Sequence, residues 1–514
     1  MHLKTNYPLW LNKVLDYVKS ERTVRFLKML LIIVSCLYIF LYVYTVYYRL
    51  QYPFELEWIE GGIHDQVQRI VEKKPIYVAP SIEFVPFLYT PLYFSLSSLI
   101  SPLLGGGLFP LRLVSFVASL VSFVAIFFIV YRETKNLLAA IVATGLFAAT
   151  FRITGVWMDI ARVDSLFLAL FLFFIFIIRG NKTATHAILA GILLAMAYLS
   201  KQTMLVISIP IILWLFFQTP KYSIILLVSA LLIIGTTTIV LQQQSDGWYL
   251  YYTYHLLSQQ TEWFPRAFFT FWGEDLLANF PLAIVCIIIA STYTPIQKND
   301  ARIDWLVICV GALAGSFLTR IKVGGYDNVL LPIVAVISIL FGFSIYKILK
   351  ISAEHKNRFH GIIYTVGVLQ LFMIFYNPIT QIPSPLDMEY GLKFIRLLEE
   401  TEGPVYLVDH GYISTLAGKE SYAHHAAIWD VRRGTEQSEG NILLSHSLQN
   451  AIEQQFFSTI ILDSKGNYCC DQIETYYDLK GMVFEEEREG ETGFYPVTGS
   501  QRRPTYIYTA KRLR

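Results

Sequence analysis

Residues 29–62 read MLLIIVSCLYIFLYVYTVYYRLQYPFELEWIEGG, and the two halves of this stretch belong to different solvents. Met29 to Tyr48 carries no charge and is long enough, at about 1.5 Å per helical residue, to cross the roughly 30 Å hydrocarbon core of a bilayer. Directly behind it, Phe54 to Gly62 packs three carboxylates, Glu55, Glu57 and Glu60, into six residues. Carboxylates cost little in water and several kcal/mol inside lipid. The cluster therefore reads either as a solvated turn that ends a helix or as a site acting on something held at the membrane surface.

Working outward, composition settles the class. The 514 residues are 54% hydrophobic and 16% charged, with mean hydropathy +0.48, whereas soluble domains carry about a quarter charged residues. The chain reads as a polytopic helical membrane protein. A net charge of +2 gives no electrostatic case for nucleic acid. Residues 1–28 are basic (Lys4, Lys13, Lys19, Arg22, Arg25, Lys28), and no cleavage site follows the apolar run. This predicts an uncleaved signal-anchor with a cytoplasmic N-terminus. Cys36, Cys286 and Cys309 lie in apolar runs, and Cys469-Cys470 has no metal-ligand spacing.

Apolar runs recur at 29–48, 111–131, 137–150, 164–178, 185–200, 203–217, 222–241, 276–295, 304–319, 329–346 and 360–377, giving about eleven crossings. With the N-terminus inside, the inner loops are Arg132–Lys135, Arg179–Lys182, Thr219–Lys221, Lys298–Arg302 and Lys347–Arg358, every one basic or mixed. The outer segments are 49–110, 151–163, the Ser200-Lys201 step, 242–275, 320–328 and the tail from 378. Pro91 to Leu104 is apolar but short, and a crossing there would put the basic loops outside; it reads as an interfacial or re-entrant helix. The middles of the spans hold essentially no Asp, Glu, Lys or Arg, where ion-coupled transporters place them. A lipid-sugar flippase or other transporter is thereby disfavoured. A ligase of lipid-linked glycans and a non-catalytic scaffold stay open.

The organisation expected is a basic start (1–28), a membrane region (29–377) with a large first outer loop (49–110), and an outer-face α/β domain (378–514). That last domain rests on the amphipathic pattern Asp387–Glu400 and three strand patterns, Pro404–Val408, Ser458–Leu462 and Thr505–Thr509. His424-His425 read as surface residues.

Four constellations face the same predicted side. The first is the glutamate cluster with Trp58, Tyr89 and Tyr93, in a loop of about sixty residues, a length usually functional. The second is Trp157-Met-Asp-Ile-Ala-Arg-Val-Asp-Ser165, with Asp159, Arg162 and Asp164, which reads as a reactive site or as a helix-start carboxylate and a local ion pair. The third is Lys201, a phosphate ligand or a snorkelling flank residue. The fourth is Arg320-Ile-Lys-Val-Gly-Gly-Tyr-Asp-Asn328, with two cations (Arg320, Lys322) and Asn328 beside a Gly-Gly pair suited to an anion.

The acidic cluster after the first span, Tyr89-Thr-Pro-Leu-Tyr93, Arg112 opening a span, Ala161-Arg-Val-Asp-Ser-Leu166 and Leu199-Ser-Lys201 together resemble the multi-spanning GT-C glycosyltransferases. Within them the likeness is to the family 39 protein mannosyltransferase-like group and its bacterial lipid-linked-sugar relatives, over about residues 29–350. The resemblance implies transfer of a sugar from a polyprenyl-phosphate donor to an acceptor hydroxyl of a glycan, lipid or protein at the outer face of the membrane, periplasmic or extracellular in a bacterium and lumenal in a eukaryote; the motif-poor tail favours a bacterial plasma membrane. It implies a catalytic acid at Glu57 or Glu55 and a second at Asp164. The family commonly shows Asp-Glu where this chain has only Glu, so which of Glu55, Glu57 and Glu60 is the base stays open. On this reading Lys201, Arg320, Lys322 and Arg162 meet the donor phosphate, and Trp58, Tyr89, Tyr93, Asp159 and Asn328 meet the sugar and acceptor. No cofactor is required; a divalent metal is possible, but no ligand spacing indicates one.

Overall fold

The computed structural model describes residues 20–260, 262–292, 301–354, 359–465, 473–484 and 493–511; Lys4, Lys13, Lys19, Lys298 and Cys469-Cys470 lie outside them. Every apolar run named above contains a helix. Among the described residues five helices have the length and composition to cross a bilayer: Glu21–Leu50, Leu108–Thr134, Pro220–Gln244, Ala301–Arg320 and Asp327–Glu354. Leu137–Ala149, Asp164–Ile178, Ala184–Ser200, Thr203–Gln218 and His360–Met373 are shorter apolar helices at the remaining positions.

The run at 276–295, expected as one straight span, is instead two helices, Pro265–Ala278 and Pro281–Thr292, meeting at 81°; counted together they would make a sixth span. The break has a local cause. Pro281 has no N–H for the helical ladder and its ring excludes a preceding helical turn. The Asn279 amide donates to the Glu274 and Asp275 carbonyls at 2.9 and 3.2 Å, satisfying the end of the first helix.

Close helix contacts use small residues, as lipid-embedded packing requires. A Cβ at Gly145 would lie 2.4 Å from Ser35 Cβ, and one at Gly191 would lie 2.5 Å from the Leu226 carbonyl. The Asp327–Glu354 helix is mostly buried, whereas Pro220–Gln244 leaves most of its apolar surface outward. At one end of the bundle the predicted inner loops meet. Arg179 pairs with Glu133 (2.9 Å) and with Asp304, and Trp214 and Trp305 donate to Asp304 and Glu133 at 2.7 and 3.0 Å. The predicted outer segments gather at the other end.

There the first loop forms the helices Glu60–Val71 and Leu92–Ile100. The second continues as a 3₁₀ turn and holds the segment that the sequence left interfacial; its Leu99 and Leu103 point outward. The tail opens with the helix Pro385–Glu400, started by a capping box between Ser384 and Asp387. A four-stranded sheet follows: β1 (Val405–Leu407), β2 (Thr459–Leu462), β3 (Tyr477–Met482) and β4 (Tyr506–Ala510), in spatial order β1-β2-β4-β3. β1 and β2 run parallel with Val405 opposite Thr459; β4 pairs antiparallel with β2 and β3. Helices Gly411–Leu416, His425–Arg432 and Glu439–Glu453 lie within this part of the chain.

The tail and the first loop share their interior. Ile63, Val67 and Phe87 pack in one apolar cluster with Tyr406, Leu444 and Ile460. Phe54 and Leu56 pack in another with Trp157, Phe394 and Ile461. The sheet thus fixes the far side of the glutamate-bearing loop.

Candidate active site

Two buried clamps hold the loops together, and both use acids that the sequence placed among the reacting groups. Glu60 is fully buried. Its Oε1 accepts from Arg112 Nε (3.0 Å) and Ala161 N–H (2.7 Å), and its Oε2 from Arg112 Nη2 (2.6 Å) and Leu56 N–H (2.7 Å). Burial alone would raise its pKa, but the guanidinium and these donors bring it below the ordinary carboxylate value. Arg112 also donates to the carbonyls of Arg49, Tyr52 and Phe54. Asp159 makes the second clamp with Arg49, at 2.6 and 3.2 Å, and Arg49 extends to the Gln381 carbonyl and Thr498 Oγ1 in the tail. The sequence offered Glu60 as a base and Asp159 as a sugar ligand; here Glu60 accepts two hydrogen bonds on each oxygen, and each Asp159 oxygen accepts one from Arg49.

Glu57 sits differently. Its side chain is 1% exposed, and Oε2 accepts from Arg162 (3.1 Å) and from the Ile59 N–H (3.2 Å). Oε1 takes no hydrogen bond among the described residues. Burial pushes this carboxyl up to about 7, against the pull of Arg162. Arg162 donates its other arm to the Tyr89 hydroxyl at 2.7 Å and lies over the rings of Trp157 and Tyr89. Beside it, Asp164 opens the helix Asp164–Ile178. Its Oδ1 accepts from Lys201 and from Asn328 Nδ2 (2.9 Å). Two side chains from two predicted outer segments thus meet at one carboxylate. Arg162 Nε and Asp164 Oδ2 are buried and have no hydrogen-bond partner. Unpaired buried polar atoms are rare in native proteins and call for a reason.

The remaining predicted residues separate. Arg320 is held by Asp275 (2.8 and 3.1 Å) and Asp327 (2.9 Å), so its guanidinium is committed to neighbours rather than held free for a phosphate. Lys322 is exposed, in a segment whose backbone pairs with Trp263. Tyr93 is fully buried and donates to the Leu111 carbonyl at 2.8 Å, so it presents no ring to a sugar. Trp58 is half-buried under Arg502, whose guanidinium lies 4.4 Å from its ring.

Glu55 turns the other way, into the tail. Its Oε2 meets His410 Nδ1, and His410 Nε2 meets Asp463 at 3.1 Å. His410 and Asp463 follow the parallel strands β1 and β2, at whose carboxyl ends α/β sheets commonly gather polar groups. Burial raises Glu55 to about 7, partly offset by His410. His410 would be lowered by burial, but its two carboxylates raise it well above the ordinary value. His424 and His425, expected at the surface, are 4% and 7% exposed. His424 bonds the Trp58 carbonyl (3.1 Å), and His425 bonds Asp409 (2.7 Å). Sequence reading missed Arg49, His410 and Asp463. Only Arg49 left a local signal, as a lone cation closing an apolar run. Among the described residues no three His, Cys, Asp or Glu side chains form a group that could hold a metal.

Comparison with known proteins bears on the fold. A family model described as dolichyl-phosphate-mannose-protein mannosyltransferase matches residues 88–242. The fold is similar to ArnT from Cupriavidus metallidurans in the apo state (TM-score 0.59, 10% identity, covering 92% of this chain and 97% of that one). The same protein bound to undecaprenyl phosphate gives TM-score 0.59 at 9% identity, over 93% and 98%. The archaeal oligosaccharyltransferase AglB from Archaeoglobus fulgidus, in complex with an inhibitory peptide and a dolichol-phosphate, is similar at TM-score 0.51 and 11% identity, over 96% and 75%. No curated protein matches the chain by sequence.

Proposed function

With the fold of the GT-C membrane glycosyltransferases as premise, we propose that this chain transfers a sugar from a polyprenyl-phosphate donor to an acceptor hydroxyl, with Glu57 as general base. The two similar structures solved with undecaprenyl phosphate and dolichol-phosphate support that donor class. The observation that carries the residue assignment is the set of unsatisfied atoms around Arg162. Both recorded hydrogen bonds of Glu57 fall on Oε2, and beside it Arg162 Nε and Asp164 Oδ2 are buried without partners; Glu55 also keeps a buried oxygen without a partner but is turned to His410 in the tail, whereas Glu60 is saturated. A carboxyl held near neutrality is matched to proton abstraction at physiological pH.

In the reaction, the acceptor oxygen attacks the anomeric carbon of the donor and its proton passes to Glu57. The bond from that carbon to the phosphate oxygen breaks, and polyprenyl phosphate leaves with the electron pair. One displacement inverts the anomeric centre. Arg162 and Lys201 stabilise the departing phosphate by charge-assisted hydrogen bonds. Asp164 and Asn328 hold Lys201 in place, and Tyr89 offers its ring edge to the sugar. The lipid tail stays in the bilayer. We place the site on the outer face of a bacterial plasma membrane and the N-terminus in the cytoplasm, on the basic inner loops.

The test is purified protein in detergent with a panel of short-chain polyprenyl-phosphate sugars and acceptor glycans, following release of free polyprenyl phosphate. Glu57→Gln should cut turnover by about 10²–10⁴-fold while the protein stays folded. Undiminished turnover would remove Glu57 from the mechanism.

A further inference from the structure

A concavity lies between the first loop and the tail, and none of the Glu57, Arg162 and Asp164 side chains lines it. It encloses about 1100 Å³, above the roughly 300–1,000 Å³ of ordinary small-molecule sites. We propose that this groove binds an oligosaccharide, the glycan acceptor of the transfer; only the word acceptor rests on the reaction proposed above.

Its charges exclude a polyanion. Arg69, Lys74 and Lys419 stand among four carboxylates, from Asp65, Glu72, Glu83 and Glu420. Lys74 already pairs with Glu72 at 2.8 Å, and Arg69 lies 4.2 Å over the Phe84 ring. A phosphate-rich chain would require a cationic excess. Among the described residues no strand lines the groove, so an extended peptide would find no backbone edge there to join.

What the walls do offer suits hydroxyls. Asn450 and Gln454, one helical turn apart at the end of Glu439–Glu453, are exposed and line the groove. An amide presents both donors and an acceptor, the pairing that neighbouring sugar hydroxyls require. Beside them Phe456 is 52% exposed, with Tyr422 at 6.2 Å, a surface for the apolar face of a pyranose. On the opposite wall Gln68 and Glu72 are bonded to each other at 2.9 Å and keep further acceptor capacity. At the inner end the His64 ring packs on Tyr412 at 4.7 Å, and His64 Nδ1 is buried without a hydrogen bond. His64 is one helical turn beyond Glu60, so this wall of the groove belongs to the same loop that carries Glu57.

The experiment exposes labelled full-length protein in detergent to a printed array of neutral and acidic oligosaccharides, with a peptide library printed alongside. Wild type and Glu57→Gln should retain the same neutral oligosaccharides, and the exposed double substitution Asn450→Ala/Phe456→Ala should lower retention about tenfold or more. Retention of no oligosaccharide, retention unchanged by the double substitution, or retention of peptides instead would overturn the proposal. Donor turnover without oligosaccharide retention would sink the groove alone; retention without turnover would sink the reaction alone.

Discussion

Replacing Glu60 by glutamine changes one atom and should unfold much of this end of the molecule. Each carboxylate oxygen accepts two hydrogen bonds, one from Arg112 and one from a backbone N–H, at 2.6–3.0 Å. Whichever way the amide is set, its nitrogen faces one Arg112 donor and one backbone donor. Two favourable contacts become donor–donor contacts, and the buried guanidinium loses its counter-charge. Hydrogen bonds to charged groups contribute about 1.5–3 kcal/mol each, and removing one partner of a buried ion pair costs about 3–5 kcal/mol. We expect a loss of that size, about 3–5 kcal/mol, read as a lowered thermal unfolding midpoint of purified protein in detergent, followed by tryptophan fluorescence. Arg112→Lys should not be benign either. One ammonium cannot fill the planar fork that reaches Glu60 and the carbonyls of Tyr52 and Phe54. Glu57→Gln, three residues away, disturbs one contact from Arg162 and one from a backbone N–H instead of four donors, and should lower the midpoint less than Glu60→Gln while losing turnover. A Glu60→Gln midpoint shifted by less than the equivalent of about 1 kcal/mol would refute the assignment of Glu60 to structure.

Three further outcomes follow from the same geometry. Because Glu57 must be ionised to take a proton and its carboxyl is pushed up to about 7, turnover should rise with pH through that value; a profile already flat from pH 5 would contradict the assignment. Glu55 has a folded pKa raised to about 7, above the unfolded value of about 4.3. Its contribution to stability is therefore complete below the unfolded value and lost as pH rises through 7, a slope that Glu55→Gln should flatten in unfolding midpoints taken across that range. Gly145→Val would drive a side chain into Ser35, where even a Cβ would come within 2.4 Å, and should lower the midpoint by about 1–3 kcal/mol equivalent; an unchanged midpoint would show that the two helices can separate.

The membrane scaffold was readable because burial in lipid is written one residue at a time. Apolar runs and the charges between them needed no knowledge of distant contacts, and each run does contain a helix. The exception at 276–295 came from weighing hydropathy over Pro281, a local signal that was present in the sequence. The candidate site was legible in outline for a related reason. Acids and cations avoid lipid, so those of the loops had to collect at the helix ends, where Glu57, Arg162, Asp164, Lys201 and Asn328 do meet.

What could not be read was which acid was already occupied. Glu55, Glu57 and Glu60 are chemically identical in the sequence; their roles differ because His410, Arg162 and Arg112 arrive from segments 52 to 355 residues away. No periodicity encodes those arrivals. The same blindness made His424 and His425 look like surface residues, since nothing local shows that the first loop covers them. Carboxylates separated by two or three residues therefore divide into a latch to the tail, an acid beside Arg162 and a structural rivet. The division is imposed by their cationic partners, so exchanging partners rather than acids is the sharper way to move function from one glutamate to another.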